Sequence, residues 1–130
     1  FPDADFFLMR VAEAYLNFAE ADARLNGDQT TAEGTKAINA IRKRAHASTR
    51  EDKGYSLSDI CDEWSREFYF EGRRRMDLIR FNRFGGNVNY NWQWKGGTKE
   101  GRNFSKDLNI FAIPTNELTS NKNLTQNPGY

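Results

Sequence analysis

The chain has 130 residues, 38% hydrophobic and 28% charged, proportions that fit one globular domain and exclude a disordered segment. Its 19 Lys and Arg nearly cancel its 18 Asp and Glu, which excludes a whole-molecule field that would draw in nucleic acid or an anionic lipid surface. A single cysteine, Cys61, excludes an internal disulfide, a single histidine, His46, leaves no zinc-ligand spacing, and no apolar run approaches the roughly 18 residues of a membrane span.

Phe1-Pro2-Asp3 does not resemble a signal peptide, and an amphipathic helix follows almost at once, so we expect the natural chain to begin earlier. From Asp5 to Leu25, Leu8, Val11, Ala12, Tyr15, Leu16, Ala19 and Leu25 recur at three- and four-residue steps, and Asn26-Gly27 is a helix stop. Alanines 12, 14, 19, 21 and 23 let a neighbouring helix come close. Thr30 with Glu33 is a capping-box signature, and Ala37, Ile38, Ile41 and Ala45 predict a second helix ending near His46, which suits the helix dipole there. The short connection makes the two antiparallel, a hairpin over residues 4–48.

A helix with a bend is predicted over 56–83. Ser56 or Ser58 caps it, Leu57, Ile60, Cys61, Trp64 and Phe68 form its apolar stripe, and Gly72 is where it breaks. Because Phe68, Tyr69 and Phe70 would point in every direction around a helix, this segment is expected to be enclosed. Residues 84–109 form a long aromatic loop containing Asn89-Tyr90-Asn91-Trp92-Gln93-Trp94. In the tail, 110–130, Ile110 to Pro114 is extended, Thr115 to Leu118 is a helical turn, and Asn127-Pro128-Gly129-Tyr130 has type II turn chemistry. Helix starts near residues 5, 31 and 57 suggest stacked hairpins, so the fold class is mainly α.

Five separated motifs carry a resemblance: "LMRVAEAYLNFAEA" (8–21), "INAIRKRA" (38–45), "REFYFEGRRRMDLIRF" (66–81), "IFAIPTNEL" (110–118) and "NLTQNPGY" (123–130). Together and in this order, the chain resembles the C-terminal part of the SusD/RagB family of outer-membrane glycan-capture lipoproteins. The resemblance implies tetratricopeptide-like helical hairpins with a long irregular loop and an extended C-terminal tail. It also implies a cell-surface, outer-membrane location through an N-terminal lipid anchor that is not among these residues. The implied partners are a SusC-like TonB-dependent transporter and an oligosaccharide or, in some members, a peptide; no cofactor and no catalysis are implied. Ser65 and Met76 depart from the family's more usual charged and aromatic residues at those positions.

Three clusters invite functional readings of their own. Glu63, Glu67 and Glu71 share one helix face at four-residue spacing, as a pair of glycosidase carboxylates would, but Arg42, Arg44 and Arg73 to Arg75 offer cations that enclosed carboxylates need. The arginine run could bind phosphate, yet Glu71 is spaced to pair with Arg75 and Asp77 to reach an arginine of the second helix. We therefore expect a structural charge network of Arg42, Arg44, Glu67, Glu71, Arg74, Arg75 and Asp77 around Gly72, with no catalytic or metal site. Tyr90, Trp92 and Trp94 are the candidate carbohydrate-binding residues, because aromatic faces stack on sugar rings; they would equally anchor the loop. The resulting expectation is an oligosaccharide-binding surface protein that supplies a transporter, with a protein- or peptide-binding helical scaffold as the alternative and a glycoside hydrolase as the remote one.

Overall fold

A computed structural model describes residues 7–86 and 90–130, so the expected helix start at residue 5 and Asn89 of the aromatic loop lie outside the described residues. The regular elements are helices: α1 (Val11–Leu25), α2 (Ala32–Arg44), α3 (Leu57–Glu67), α4 (Arg74–Arg80) and α5 (Thr115–Ser120), with 3-10 turns at Lys95–Gly97 and Lys106–Asn109. Among the described residues there is no strand, only an isolated bridge between Gln29 and Ser56. The mainly helical class expected from periodicity is the class that forms. The chain divides into two compact units, one ending at Arg74 and the other running from Arg75 to Tyr130.

In the first unit α1 packs against α2 and α3. Ala12, Leu16, Ala19 and Ala23 make the buried face of α1, and three small side chains on that face allow close approach of the neighbours. Ala37, Ile38 and Ile41 of α2 and Ile60, Cys61 and Trp64 of α3 complete this core. Truncating a buried Leu or Ile in such a core costs about 2–5 kcal/mol, so this small cluster holds much of the unit together. The rest of the apolar periodicity is not buried: Leu8 and Leu25 are each 85% exposed, and Val11 lies open with them. The helix also starts later than expected, because Arg10 is extended (φ −131°, ψ 149°) and its side chain is engaged elsewhere.

The two predicted helix starts fare differently. Thr31, not Thr30, is the N-cap of α2, and the cap is borrowed: Asp22 of α1 accepts from Thr31 N at 2.6 Å and from Thr31 Oγ1 at 3.0 Å. Thr30 instead turns inward, with Oγ1 2.7 Å from Thr35 Oγ1 and accepting from Tyr55 N at 2.8 Å. Ser56 does cap α3 in a full capping box, with Asp59 N donating to Ser56 Oγ at 3.2 Å and Ser56 N to Asp59 Oδ2 at 2.9 Å. Such a cap contributes about 1 kcal/mol.

The helix α3 ends at Glu67, and this overturns the expectation that three aromatics would be enclosed. Phe68 is buried, but Tyr69 and Phe70 project outward. With the helix finished, successive side chains no longer wrap a common axis, and Phe70 takes a left-handed conformation (φ +63°). Gly72 (φ +73°) makes the break itself, as glycine does without a Cβ penalty.

In the second unit, Asp77 and Leu78 are the buried residues of α4. The tail satisfies an extended segment through side chains instead of a neighbouring strand. Gln126 bonds Ile113 in both directions, Ile113 N to Oε1 at 2.9 Å and Nε2 to Ile113 O at 3.0 Å. Asn127 Nδ2 donates to Phe111 O and Tyr130 OH to Ile110 O. Gly129 at φ +90° fits the third position of a type II turn.

Candidate functional site

In the first unit the carboxylates near Gly72 are gathered by arginines that the chain brings from afar. Arg10 Nη1 donates to Glu67 Oε1 at 2.7 Å, Nη2 to Glu71 Oε1 at 2.7 Å and Nε to Glu71 Oε2 at 3.0 Å. Arg44 Nη2 donates to Glu67 Oε2. Burial works to raise the Glu67 carboxyl, but the hydrogen bonds from Arg44 and Arg10 outweigh it and hold the group below its ordinary value. The third acid of the face, Glu63, accepts on Oε2 from Arg42 Nη1 at 2.6 Å and from Arg66 Nη2 at 2.8 Å. Arg73 pairs with Glu13 of α1 at 3.1 Å and lies over the rings of Trp64 and Phe68, and Arg10 also stacks on Phe68 at 4.3 Å.

One of the expected pairings is therefore corrected. The arginine that meets Glu71 is Arg10 rather than Arg75, because the break at Gly72 ends the four-residue register that would have set Glu71 beside Arg75. Asp77, almost fully buried, is paired by Arg80 Nη1 at 2.9 Å, three residues along α4. Arg74 Nη1 donates to Cys61 O at 2.8 Å. In the second unit Arg75 Nη2 donates to Leu108 O and Asn109 O, both at 3.0 Å, and its guanidinium sits 3.8 Å from the Phe111 ring centroid. Among the described residues no group of His, Cys, Asp and Glu is arranged to hold a metal ion.

The aromatic loop of the second unit is organised by Lys95, a residue not singled out by sequence. Its Nζ donates to Tyr90 O at 2.6 Å, Asn103 Oδ1 at 3.0 Å and Arg83 O at 3.2 Å, one acceptor for each of the three ammonium protons. Lys95 is 2% exposed, lies 4.9 Å from the Trp92 ring centroid and has its pKa pushed down by burial. Tyr90 and Trp92 meet edge to face at 6.1 Å. Trp92 is partly open, and Trp94, in a left-handed conformation (φ +68°), is 65% exposed.

Arg10 and Lys95 are the two organising residues that spacing alone did not mark. Each did leave a compositional trace, Arg10 as the lone charge inside Leu8-Met9-Arg10-Val11 and Lys95 as a cation between a tryptophan and two glycines. A charge in an apolar run has to find a partner when the run packs.

Comparison with known proteins gives three findings. The sequence profile of the SusD family matches residues 2–130. The chain is 45% identical, over all 130 of its residues, to the starch-binding protein SusD of Bacteroides thetaiotaomicron, of which it spans 22%. Among solved structures it is similar to a SusD superfamily protein from Parabacteroides distasonis (TM-score 0.73, 26% identity, 96% of this chain and 27% of that one). It is also similar to a laminarin-binding SusD-like protein (TM-score 0.64, 28% identity, 95% and 23%).

Proposed function

The chain belongs to the SusD family, and from that premise we propose that it serves to capture oligosaccharide at the cell surface and deliver it to a SusC-type TonB-dependent outer-membrane transporter. The observation that carries this is the 45% identity to a starch-binding protein along the whole of the chain. The laminarin-binding relative supports the same ligand class. In this proposal the protein is held at the outer membrane by an N-terminal lipid anchor and uses no cofactor.

The geometry supports binding over cleavage. A glycosidase general acid needs a carboxyl whose pKa is raised. Glu67 is instead held below its ordinary value, and Glu63 and Glu71 are also engaged by guanidinium groups. All three carboxylates, Glu63 and Glu67 on α3 and Glu71 beyond its end, thus act as acceptors in ion pairs.

Calorimetric titration of the full-length protein against a panel of oligosaccharides, with the sugars then recovered and sized, tests this directly. Binding with intact sugars is expected, and co-purification with a β-barrel transporter supports the delivery role. No affinity for any sugar on the panel removes the proposal, and shortened sugars would point to hydrolysis instead.

A further inference from the structure

Among the described residues Trp94 combines two unfavourable features, a left-handed backbone and an exposed indole. A bulky residue in the left-handed region is strained, in a conformation that Gly, or more weakly Asn, takes more easily. Among the described residues its indole is nevertheless 65% exposed, so no burial within them offsets the strain. Around it the backbone is closely tied: Trp94 N donates to Lys99 O, Gly97 N to Trp94 O at 3.0 Å, Lys95 N to Trp92 O at 3.1 Å and Arg102 N to Lys95 O at 2.9 Å. Gly101 closes the turn against Trp92, its missing Cβ being 2.2 Å from Trp92 O. The loop is over-determined, which is the condition under which strain at a functional position persists.

We propose that Trp92 and Trp94 form a stacking platform for an oligosaccharide, with Lys95 as the positioning residue beneath it. The ligand class rests on the function proposed above. An indole face is apolar and flat, and a pyranose ring presents C–H groups of matching shape on one side and hydroxyls around its rim. Asn91 and Gln93 flank the two tryptophans and are exposed, and each amide offers a donor and an acceptor to such hydroxyls. The charge of Lys95 is directed inward to three oxygens, so it shapes the platform without facing the ligand. The backbone that carries both tryptophans is closed by hydrogen bonds before any ligand arrives, which lowers the ordering cost of binding.

The test uses the full-length protein with maltoheptaose and a laminarin hexasaccharide as probes, comparing wild type with Trp92→Ala, Trp94→Ala and Trp94→Gly. Each alanine variant is expected to weaken binding of whichever probe the wild type takes by about tenfold. Trp94→Gly removes the ring and the strain together, so it should lose the same affinity with no fall in melting temperature. Unchanged affinity in all three variants overturns the platform and leaves the oligosaccharide function standing. Affinity lost only in variants that also melt earlier overturns it as well, since the tryptophans would then be anchors. A wild-type protein that takes neither probe overturns the platform and counts against the function it rests on.

Discussion

Arg10 and Glu71 stand 61 positions apart and are joined by two hydrogen bonds, Nε to Oε2 at 3.0 Å and Nη2 to Oε1 at 2.7 Å. The same guanidinium donates to the side chain and to the backbone carbonyl of Glu67, each at 2.7 Å. One arginine thus fastens the start of α1 to the end of α3 and meets the chain where it turns at Gly72. Side-chain pairs made this way resist the sliding of helices that an alanine-rich contact would otherwise permit.

Removing the acids should reveal unequal contributions. Glu67 is 5% exposed and shared by Arg10 and Arg44, so Glu67→Ala should lower stability by about 2–3 kcal/mol by leaving both cations short of a partner. Glu71 is 29% exposed, and water can replace part of its role, so Glu71→Ala should cost about 1 kcal/mol. Thermal melts of the two variants measure this, and equal, negligible shifts would show the clasp to be ornamental.

Acid should weaken the fold through the same class of contact. Asp59 is held far below its ordinary 3.8, first by Arg50, whose Nη1 and Nη2 reach its two oxygens at 2.7 and 2.8 Å, and further by Ser56. Glu67 is also depressed. Because both folded-state values lie below the unfolded ones, the stability these groups supply is complete above the ordinary carboxyl range, begins to fall within it and is lost as pH drops further through the lower folded values. Urea midpoints should therefore be flat above about pH 5 and drop below about pH 4, with Asp59→Asn flattening part of the slope. A midpoint that rises on acidification contradicts the sign.

Lys95→Met should loosen the aromatic loop while sparing the helices of the first unit. Methionine matches the length of the aliphatic stem but leaves three oxygens without their ammonium donor, a local loss of about 1–3 kcal/mol. Amide exchange would report it as faster exchange at Lys95 N and Arg102 N, whose hydrogen bonds close the loop, with Ile38 and Leu16 unchanged. Uniform protection in the variant would mean that the loop is held by its backbone alone.

A methyl group at position 101 should have a related effect by a different cause. The Gly101 backbone is left-handed (φ +75°), and a Cβ there would meet Trp92 O at 2.2 Å, a backbone atom that cannot rotate away. Gly101→Ala should displace Trp92 and raise proteolysis within 90–103, which limited digestion would detect. An unaltered digestion pattern would mean that the turn has room the geometry does not show.

Local chemistry determined a good deal from sequence. The three long helices, the stop at Asn26-Gly27, the Ser56 cap and the bend at Gly72 follow from side-chain volume, backbone freedom and hydrogen bonds between residues a few positions apart. Motif order was also enough for the family, because it samples constraints along the whole chain. Tertiary structure alone decided which arginine serves which acid, that Asp22 rather than Glu33 completes the start of α2, and that Lys95 lies under the aromatic loop. The reason is physical: one guanidinium resembles another in sequence, and Coulomb attraction has no register. Its choice among partners is made by distances that exist only once the helices have packed.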